Sequence, residues 1–358
     1  MSDIIKKVLV VGIGKVGSLV GTILHEAGFA VTGLDAAKRE GLLYPVEVAD
    51  VTNEAAVREQ LGKVDAVVSC LPYHLNLTTA TSAHALGVHY FDLTEDVPTT
   101  QAIRKMSESG EGVMAPQCGL APGFIGIVGA SLTKGFESLR SIELRVGALP
   151  QHPRGLLGYA FNWSAEGVVN EYLNECEVVR DSKPILVQPM SQLETIVING
   201  LQLEAFTTSG GLGTMCETYA GKVKDLNYKT MRYPGHCRLM RFFFNELHMA
   251  DNREEAGRIL VNAKPPVNED VVYVHAAVEG HRDGQLFREE FVKAYDPIEI
   301  AGRTWRAISW TTAASVSAVV EMVAAGTLPC AGFLKQEEIS FADFLKTKSG
   351  SLYAKHSG

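Results

Sequence analysis

Three glycines carry the first recognisable chemistry. Gly12, Gly14 and Gly17 stand in G-x-G-x-x-G spacing within VGIGKVG (11–17), directly after the apolar run KVLVV at 7–11. Between a buried strand and a helix such a hexad cradles a pyrophosphate. The first glycine permits the tight turn, the second admits close approach of backbone, and the third lets the helix pack on the strand. The helix N-terminus adds N–H donors and partial positive charge. Ile13, Lys15 and Val16 complete this loop. Asp35 ends the next apolar run, where a carboxylate accepts from a ribose 2′-hydroxyl and repels a 2′-phosphate, so the expected cofactor is NAD. Lys38 and Arg39 stand close enough to soften that preference. Asp50 and Val51 are placed to meet an adenine, with a turn as the competing role for Asp50. Leu71, Pro72 and His74 are placed beside the ribose and nicotinamide.

Other polar groups suit a small molecule carrying a carboxylate and an amine. Asp92, Thr94 and Glu95 lie in YFDLTED, directly after an apolar run. Open α/β sheets bind ligands outside the strands' carboxyl ends, and acids there suit a cationic amine. N-capping of the next helix is the competing role for Thr94 and Asp96. Cys118 precedes GLAPGF at 119–124, with an ordinary buried thiol as its competing and favoured reading and an interdomain turn as that of the glycines. The stretch 222–236 combines Lys222, Lys229, Arg232, Tyr233 and His236. An arginine clamps a carboxylate with two parallel bonds, and a histidine accepts a proton near neutrality. A solvated face and a structural histidine are the competing readings. Tyr73 adds an aromatic ring, and Tyr159, Trp163 and Glu171 suit a pocket wall, with Ser164 as a helix cap. No P-loop, H-E-x-x-H, G-x-S-x-G or tetrahedral Cys/His set is present, so no metal is expected.

The elements that must position these groups follow a βαβ rhythm over the first 115 residues. Strands are expected at 7–11, 30–34, 46–49, 66–69, 89–93 and 112–115. Helices are expected at 16–27, 54–61, 76–86 and 99–109, with Gly28 as a stop and Asn53 as a cap. Six such strands make a doubly wound parallel sheet, the Rossmann arrangement within the α/β class. Beyond about residue 140, period-two stretches at 139–149, 188–197, 204–208 and 271–278 suggest longer strands. Helices are expected there at 166–176 and 239–246. A final helix at 311–325, rich in Ala, Ser and Val, suggests a chain that returns to its first domain. That gives a nucleotide-binding domain at 1–125, completed by about 305–358, and an α+β catalytic domain with a mixed sheet at 126–304.

Composition limits the partners. Lys plus Arg number 33 against 41 Asp plus Glu, a net charge of −8 over 358 residues, so neither nucleic acid nor an anionic membrane is an expected partner. The six cysteines are scattered, without a C-x-x-C pair, which suits a reducing compartment. The opening MSDIIKKVLVVGIG lacks the long apolar core of an export signal, so a cytoplasmic location is expected.

The chain resembles the saccharopine dehydrogenase and reductase-like oxidoreductases. The carrying motifs are VGIGKVG, SCLPYH (69–74), YFDLTED, CGLAPGF, NWSAEGVVNEY (162–172) and GGLGT…ETYAGKVKDLNYKTMRYPGH (210–236). Within that family it looks most like the branch that oxidises the ε-amine of L-lysine. The resemblance implies NAD, release of ammonia, a semialdehyde that cyclises, and a homodimer. It also implies that the loops holding Tyr73, Asp92, Cys118, Arg232 and His236 face the substrate, with His236 or Asp92 as proton acceptor. Condensing relatives of the saccharopine or carboxynorspermidine type, which act on a secondary amine, are the alternative.

Overall fold

A computed structural model describes residues 4–356. The chain forms two compact units. The first runs to Phe124 and takes in Ile300–Arg303 and Ser309–Lys355; the second holds Ile125–Glu299 and Thr304–Ile308.

In the first unit, strand β1 (Lys7–Val11) buries Val8, Leu9, Val10 and Val11 completely. A strand apolar on both faces requires a layer on each side, which is why it sits mid-sheet. The other strands are β2 (Ala30–Asp35), β3 (Val46–Val48), β4 (Ala66–Ser69), β5 (His89–Asp92) and β6 (Val113–Ala115). With the late strand Gly332–Phe333 they pair in parallel, in the order Gly332–Phe333, β6, β5, β4, β1, β2, β3. Strand order reverses between β1 and β4, and a ligand crevice forms at such a point. Helix α1 (Gly17–Ala27) stops at Gly28, whose φ of 106° closes the last turn on His25 and Leu24 carbonyls. Helix α2 (Glu54–Leu61) is capped by Asn53, which accepts from the N–H groups of Ala55 and Ala56.

Several boundaries differ from expectation. The sheet has a seventh strand, because the returning chain adds Gly332–Phe333 beside β6; two residues carry no periodicity to read. Helix α3 (Tyr73–Ala85) starts directly after Pro72, so Tyr73 and His74 lie in its first turn and not in a loop. Proline is pre-organised for the helix entry, and that signal outweighs Asn76. Helix α4 (Val97–Met106) begins before Thr99 because Asp96 caps it, accepting from Thr99 N–H at 2.9 Å.

Helix α5 (Phe124–Leu132) leads into the second unit, where the mixed sheet takes shape. Its strands are β7 (Ser138–Pro150), β8 (Cys176–Arg180), β9 (Lys183–Val187), β10 (Glu194–Ile198), β11 (Leu201–Thr207), β12 (Val223–Arg232), β13 (Asp270–Arg282) and β14 (Gln285–Tyr295). The path runs β10, β11, β12, β7, β13, β14, with β8 on β12 and β9 on β8. Among the described residues, only β12 and β7 are parallel within it. The single strand expected at 188–197 is instead a turn after β9 followed by most of β10, which begins at Glu194. Pro189 interrupts it, and Met190 and Gln192 have φ of 50° and 51°. The polar stretch 223–232 is a central strand that the sequence hides by interleaving Lys224, Asp225, Asn227 and Lys229 with apolar residues.

Helix α6 (Ala165–Leu173) lays Val168, Val169 and Tyr172 into a core with Phe206, Met231, Met240 and Phe244. Helix α7 (Met215–Tyr219) precedes β12, and helix α8 (His236–Arg241) follows it, passing into a π-helical turn at Phe242–Glu246. Among the described residues one helix, Ala307–Ala324, is long and apolar enough to cross a membrane, and 83% of it is buried within the protein.

Candidate active site

The dinucleotide cradle is made of backbone. Gly12 has φ of 87°, and a Cβ there would lie 3.0 Å from the Cys70 carbonyl oxygen. At Gly17 a Cβ would fall 2.0 Å from the Gly12 carbonyl oxygen, so only glycine lets α1 seat on the turn. Above Gly14 nothing lies within 4 Å of a built Cβ: this is the open surface a pyrophosphate needs. Gly12 N–H donates to Leu34 O, and Ile13 N–H donates to Asp35 Oδ2 at 2.7 Å. Ala37 N–H donates to Asp35 Oδ1 at 2.8 Å, and Arg39 lies 3.2 Å from the same oxygen. The loop thus fixes the carboxylate at the end of β2, and these residues fit a nicotinamide dinucleotide. Lys15 is exposed and Val16 half-buried beside them. Asp50 is exposed, accepting from Thr52 N–H and Oγ1–H in a turn; Val51 and Leu71 are half-buried, Pro72 and His74 exposed.

Asp92 is fully buried at the end of β5. Its Oδ1 accepts from Thr94 N–H at 2.9 Å and Gln117 N–H at 3.0 Å, and Oδ2 accepts from Tyr90 O–H at 2.8 Å. Burial raises its carboxyl to about 6, although those donors pull the other way. The geometry makes Asp92 a clasp between the loops after β5 and β6. Thr94 is buried, its Oγ1 accepting from Asp96 N–H, and Glu95 is half-buried. Cys118 is buried too; its thiol donates to Ala115 O and accepts from Gln336 Nε2 at 3.2 Å. Burial holds that thiol well above its ordinary range, so it is no thiolate at neutral pH. Tyr73 is half-buried, edge-on to His74.

The second unit holds a different kind of site. Arg232, at the end of β12, is 3% exposed. Its Nε–H donates to Tyr172 Oη at 2.8 Å, its Nη1 donates to Met231 O, and its guanidinium lies 4.6 Å above the Tyr159 ring. Tyr172 in turn stands 3.0 Å from His236 Nε2, and His236 Nδ1 stands 2.9 Å from Leu157 O. A carbonyl only accepts, so the proton sits on Nδ1, and Nε2 takes the tyrosine hydroxyl. Both ring nitrogens are therefore spent. Burial, followed by the charge of Arg232, lowers His236 to about 3, so the ring is neutral. Among the described residues no carboxylate lies within 4.0 Å of the Arg232 guanidinium, and its Nη2 makes no hydrogen bond.

Neighbouring groups support this chain of bonds. Glu204 lies opposite Arg232 in the β11–β12 register, and its carboxylate accepts from Gly235 N–H at 2.8 Å and Cys237 N–H at 2.6 Å. It thereby caps α8 and sets His236. Trp163 Nε1–H donates to Tyr159 Oη at 3.3 Å. Tyr233, half-buried, donates to Pro150 O. Lys222 is exposed at the foot of β12. Lys229 is buried with Arg145 on the shared carboxylate of Glu194. The sequence reading missed the roles of Tyr172 and Glu204. The signal available was weak: a buried arginine needs an acceptor, but nothing in the spacing named it.

Among the described residues no three His, Cys, Asp or Glu side chains converge as a metal site. A glycine cradle at a strand-order reversal defines a dinucleotide-binding unit, and the second unit holds a separate buried guanidinium. Comparison with known proteins narrows this. The sequence profile of the saccharopine dehydrogenase NADP binding domain matches residues 8–115, and that of the saccharopine dehydrogenase C-terminal domain matches 119–347. The chain belongs to the saccharopine dehydrogenase family. Curated relatives include saccharopine dehydrogenase (NADP+, L-glutamate-forming) of Pyricularia oryzae, 25% identical over 191 residues, or 50% of this chain and 42% of that protein. The Schizosaccharomyces pombe protein of the same name is 22% identical over 152 residues, 41% of this chain and 34% of that one. The matched stretches thus span less than half the length of those relatives. Among solved structures, apo saccharopine dehydrogenase (L-Glu forming) from Saccharomyces cerevisiae shares the fold at TM-score 0.75 and 16% identity, covering 99% of both chains. DAP dehydrogenase of C. glutamicum matches at TM-score 0.52 and 12% identity, covering 99% of both chains.

Proposed function

We propose that this protein is a dehydrogenase that uses NAD to oxidise the ε-amine of L-lysine, giving ammonia and a semialdehyde that cyclises. The observation that supports it best is Arg232, a buried guanidinium stacked on Tyr159 without a protein carboxylate in ion-pair range. Burying a charge unpaired costs several kcal/mol, roughly, so such a site suits an anion brought by the ligand. A planar fork with a free edge suits a carboxylate. Asp35, held at the end of β2 by Ile13 and Ala37, supports NAD over NADP.

The Gly12–Gly17 cradle and Asp35 would hold NAD, which would supply the acceptor for a hydride from the carbon bearing nitrogen; water adding to the resulting imine would release ammonia and leave the aldehyde. For the hydride to leave, the nitrogen lone pair must be free, and a lysine ε-amine loses its proton only near pH 10.4. In this reading His236 is not the proton acceptor, since Tyr172 and Leu157 occupy its nitrogens; it orients Arg232. Asp92 clasps the loops after β5 and β6, and the amine's proton leaves to solvent. The rate therefore climbs with pH into the alkaline range.

A second reading has its own support. The curated relatives are named for saccharopine and NADP, and Arg39 beside Asp35 offers a cation for a 2′-phosphate. The deciding experiment follows reduction of NAD and NADP with L-lysine, saccharopine and ornithine across alkaline pH. Lysine turnover with NAD and release of ammonia supports the first reading. Silence with lysine beside turnover of saccharopine replaces it with the second.

A further inference from the structure

We propose that β14 pairs with the β14 of a second copy of this chain, antiparallel and centred on Phe291, so that two mixed sheets join edge to edge. This contact is independent of the chemistry proposed for Arg232. Strand β14 ends the strand order of the mixed sheet, and among the described residues its one partner strand is β13. It is 11 residues long and free of proline, and its ladder with β13 runs from Val272–Tyr295 to Arg282–Gln285 without a shift of register. A free edge of that length presents a row of unpaired N–H and C=O groups, a template for another strand. The other edges are blunter: β9 and β10 have 5 residues each, and β9 carries Pro184. Apolar side chains accompany the long edge, with Leu286 49% and Phe287 41% exposed.

The charges of β14 point to its own copy as the occupant. A twofold axis normal to the sheet sets one residue opposite itself and pairs the others about it. Centred on Phe291, Glu289 of each copy faces Lys293 of the other, Glu290 faces Val292, Arg288 faces Ala294 and Phe287 faces Tyr295. Opposite charges then meet twice and like charges do not meet. Centred on Arg288, Glu289, Glu290 or Lys293, a charge meets itself; centred on Val292, Glu289 faces Tyr295 and Lys293 faces Phe291. Opposite-charge pairs across a ladder stabilise it, and like charges directly opposite weaken it. Among the described residues the Lys293 ammonium makes no ion pair or hydrogen bond, which leaves it for the Glu289 of the other copy. Glu289, 39% exposed at its side chain, is steadied by Arg282 at 2.6 Å.

Sedimentation velocity of the full chain over a concentration series tests the pairing. The wild type should sediment as a dimer. Lys293→Glu turns both attractive pairs repulsive and should weaken dimerisation about tenfold or more, and adding Glu289→Lys should restore it. Cross-linking reads the register, in a Cys330→Ser background that removes the exposed native thiol. Residues directly opposed in a ladder lie roughly 4.5–5.5 Å apart between Cα atoms, within disulfide reach. Glu290→Cys with Val292→Cys should therefore give a covalent dimer on oxidation, and Arg288→Cys with Val292→Cys should not. A monomer throughout, a dimer untouched by Lys293→Glu, or equal cross-linking by the two cysteine pairs overturns the proposal. Should Lys293→Glu not fold, the cysteine pairs still decide.

Discussion

The two sites of this molecule are built from different materials. The cradle around Gly12, Gly14 and Gly17 is backbone, and its partners, Leu34, Asp35 and Cys70, lie at the ends of strands flanking β1. The Arg232 site is made mainly of side chains, from Tyr159, Tyr172, Glu204 and the 232–237 turn, with the Leu157 carbonyl as its one backbone acceptor for His236. A backbone site tolerates any side chain that leaves the main chain alone, and fails abruptly when one intrudes. A side-chain site loses function by degrees, one hydrogen bond at a time.

Breaking the cradle should have the largest effect. Gly17→Val puts carbon where the Gly12 carbonyl already stands, so NADH binding should vanish by fluorescence titration. Stability should also fall by roughly 3 kcal/mol in urea unfolding, the upper end for overpacking. A variant that binds NADH normally would show that the turn is not held as described.

The side-chain site should respond in proportion to the bonds removed. His236 has a folded pKa of about 3 against 6.5 for the ordinary ring, so the unfolded chain binds the proton more readily between those values. Its contribution is full above about pH 6.5 and is lost as pH falls. Asp92 works in the opposite sense: its carboxyl, raised to about 6 from 3.8, favours the fold at low pH and loses that contribution as pH rises through 6. His236→Gln should therefore reduce the stability lost between pH 7 and 4.5 by roughly 2 kcal/mol, read from urea midpoints. An unchanged loss would mean that the ring is not held neutral.

The smallest effect sharpens the comparison at the cofactor. Asp35→Ala should shift the NAD-to-NADP preference by about tenfold, since one charge-assisted bond is removed and Arg39 is released. A constant ratio would exclude Asp35 from the ribose contact.

What was legible in the sequence follows the same division. The glycine hexad, the strand ahead of it and Asp35 were readable because the turn, the helix start and the strand ends are local, and their spacing is set by backbone geometry. Gly28 and Asn53 were readable for the same reason. Arg232 and His236 stood out as residue types, but their joint action depends on Tyr172, brought in by α6 from a distant part of the chain. By residue type His236 suits a base, but Leu157 O occupies its Nδ1 and Tyr172 its Nε2. The strand β12 that carries Arg232 was hidden by its polar residues. Lys229 illustrates this: as one of a row of cations it suited a clamp, yet β10 brings Glu194 to it.

The central claim is that Arg232 holds the carboxylate of an amino-acid substrate while the cradle holds the cofactor independently. Steady-state kinetics of Arg232→Gln with L-lysine, alongside NADH titration of the same variant, tests it most directly. The account predicts a KM for lysine raised about ten- to a hundredfold, the worth of the charge-assisted bonds lost, with NADH affinity unchanged. An unchanged KM would contradict it.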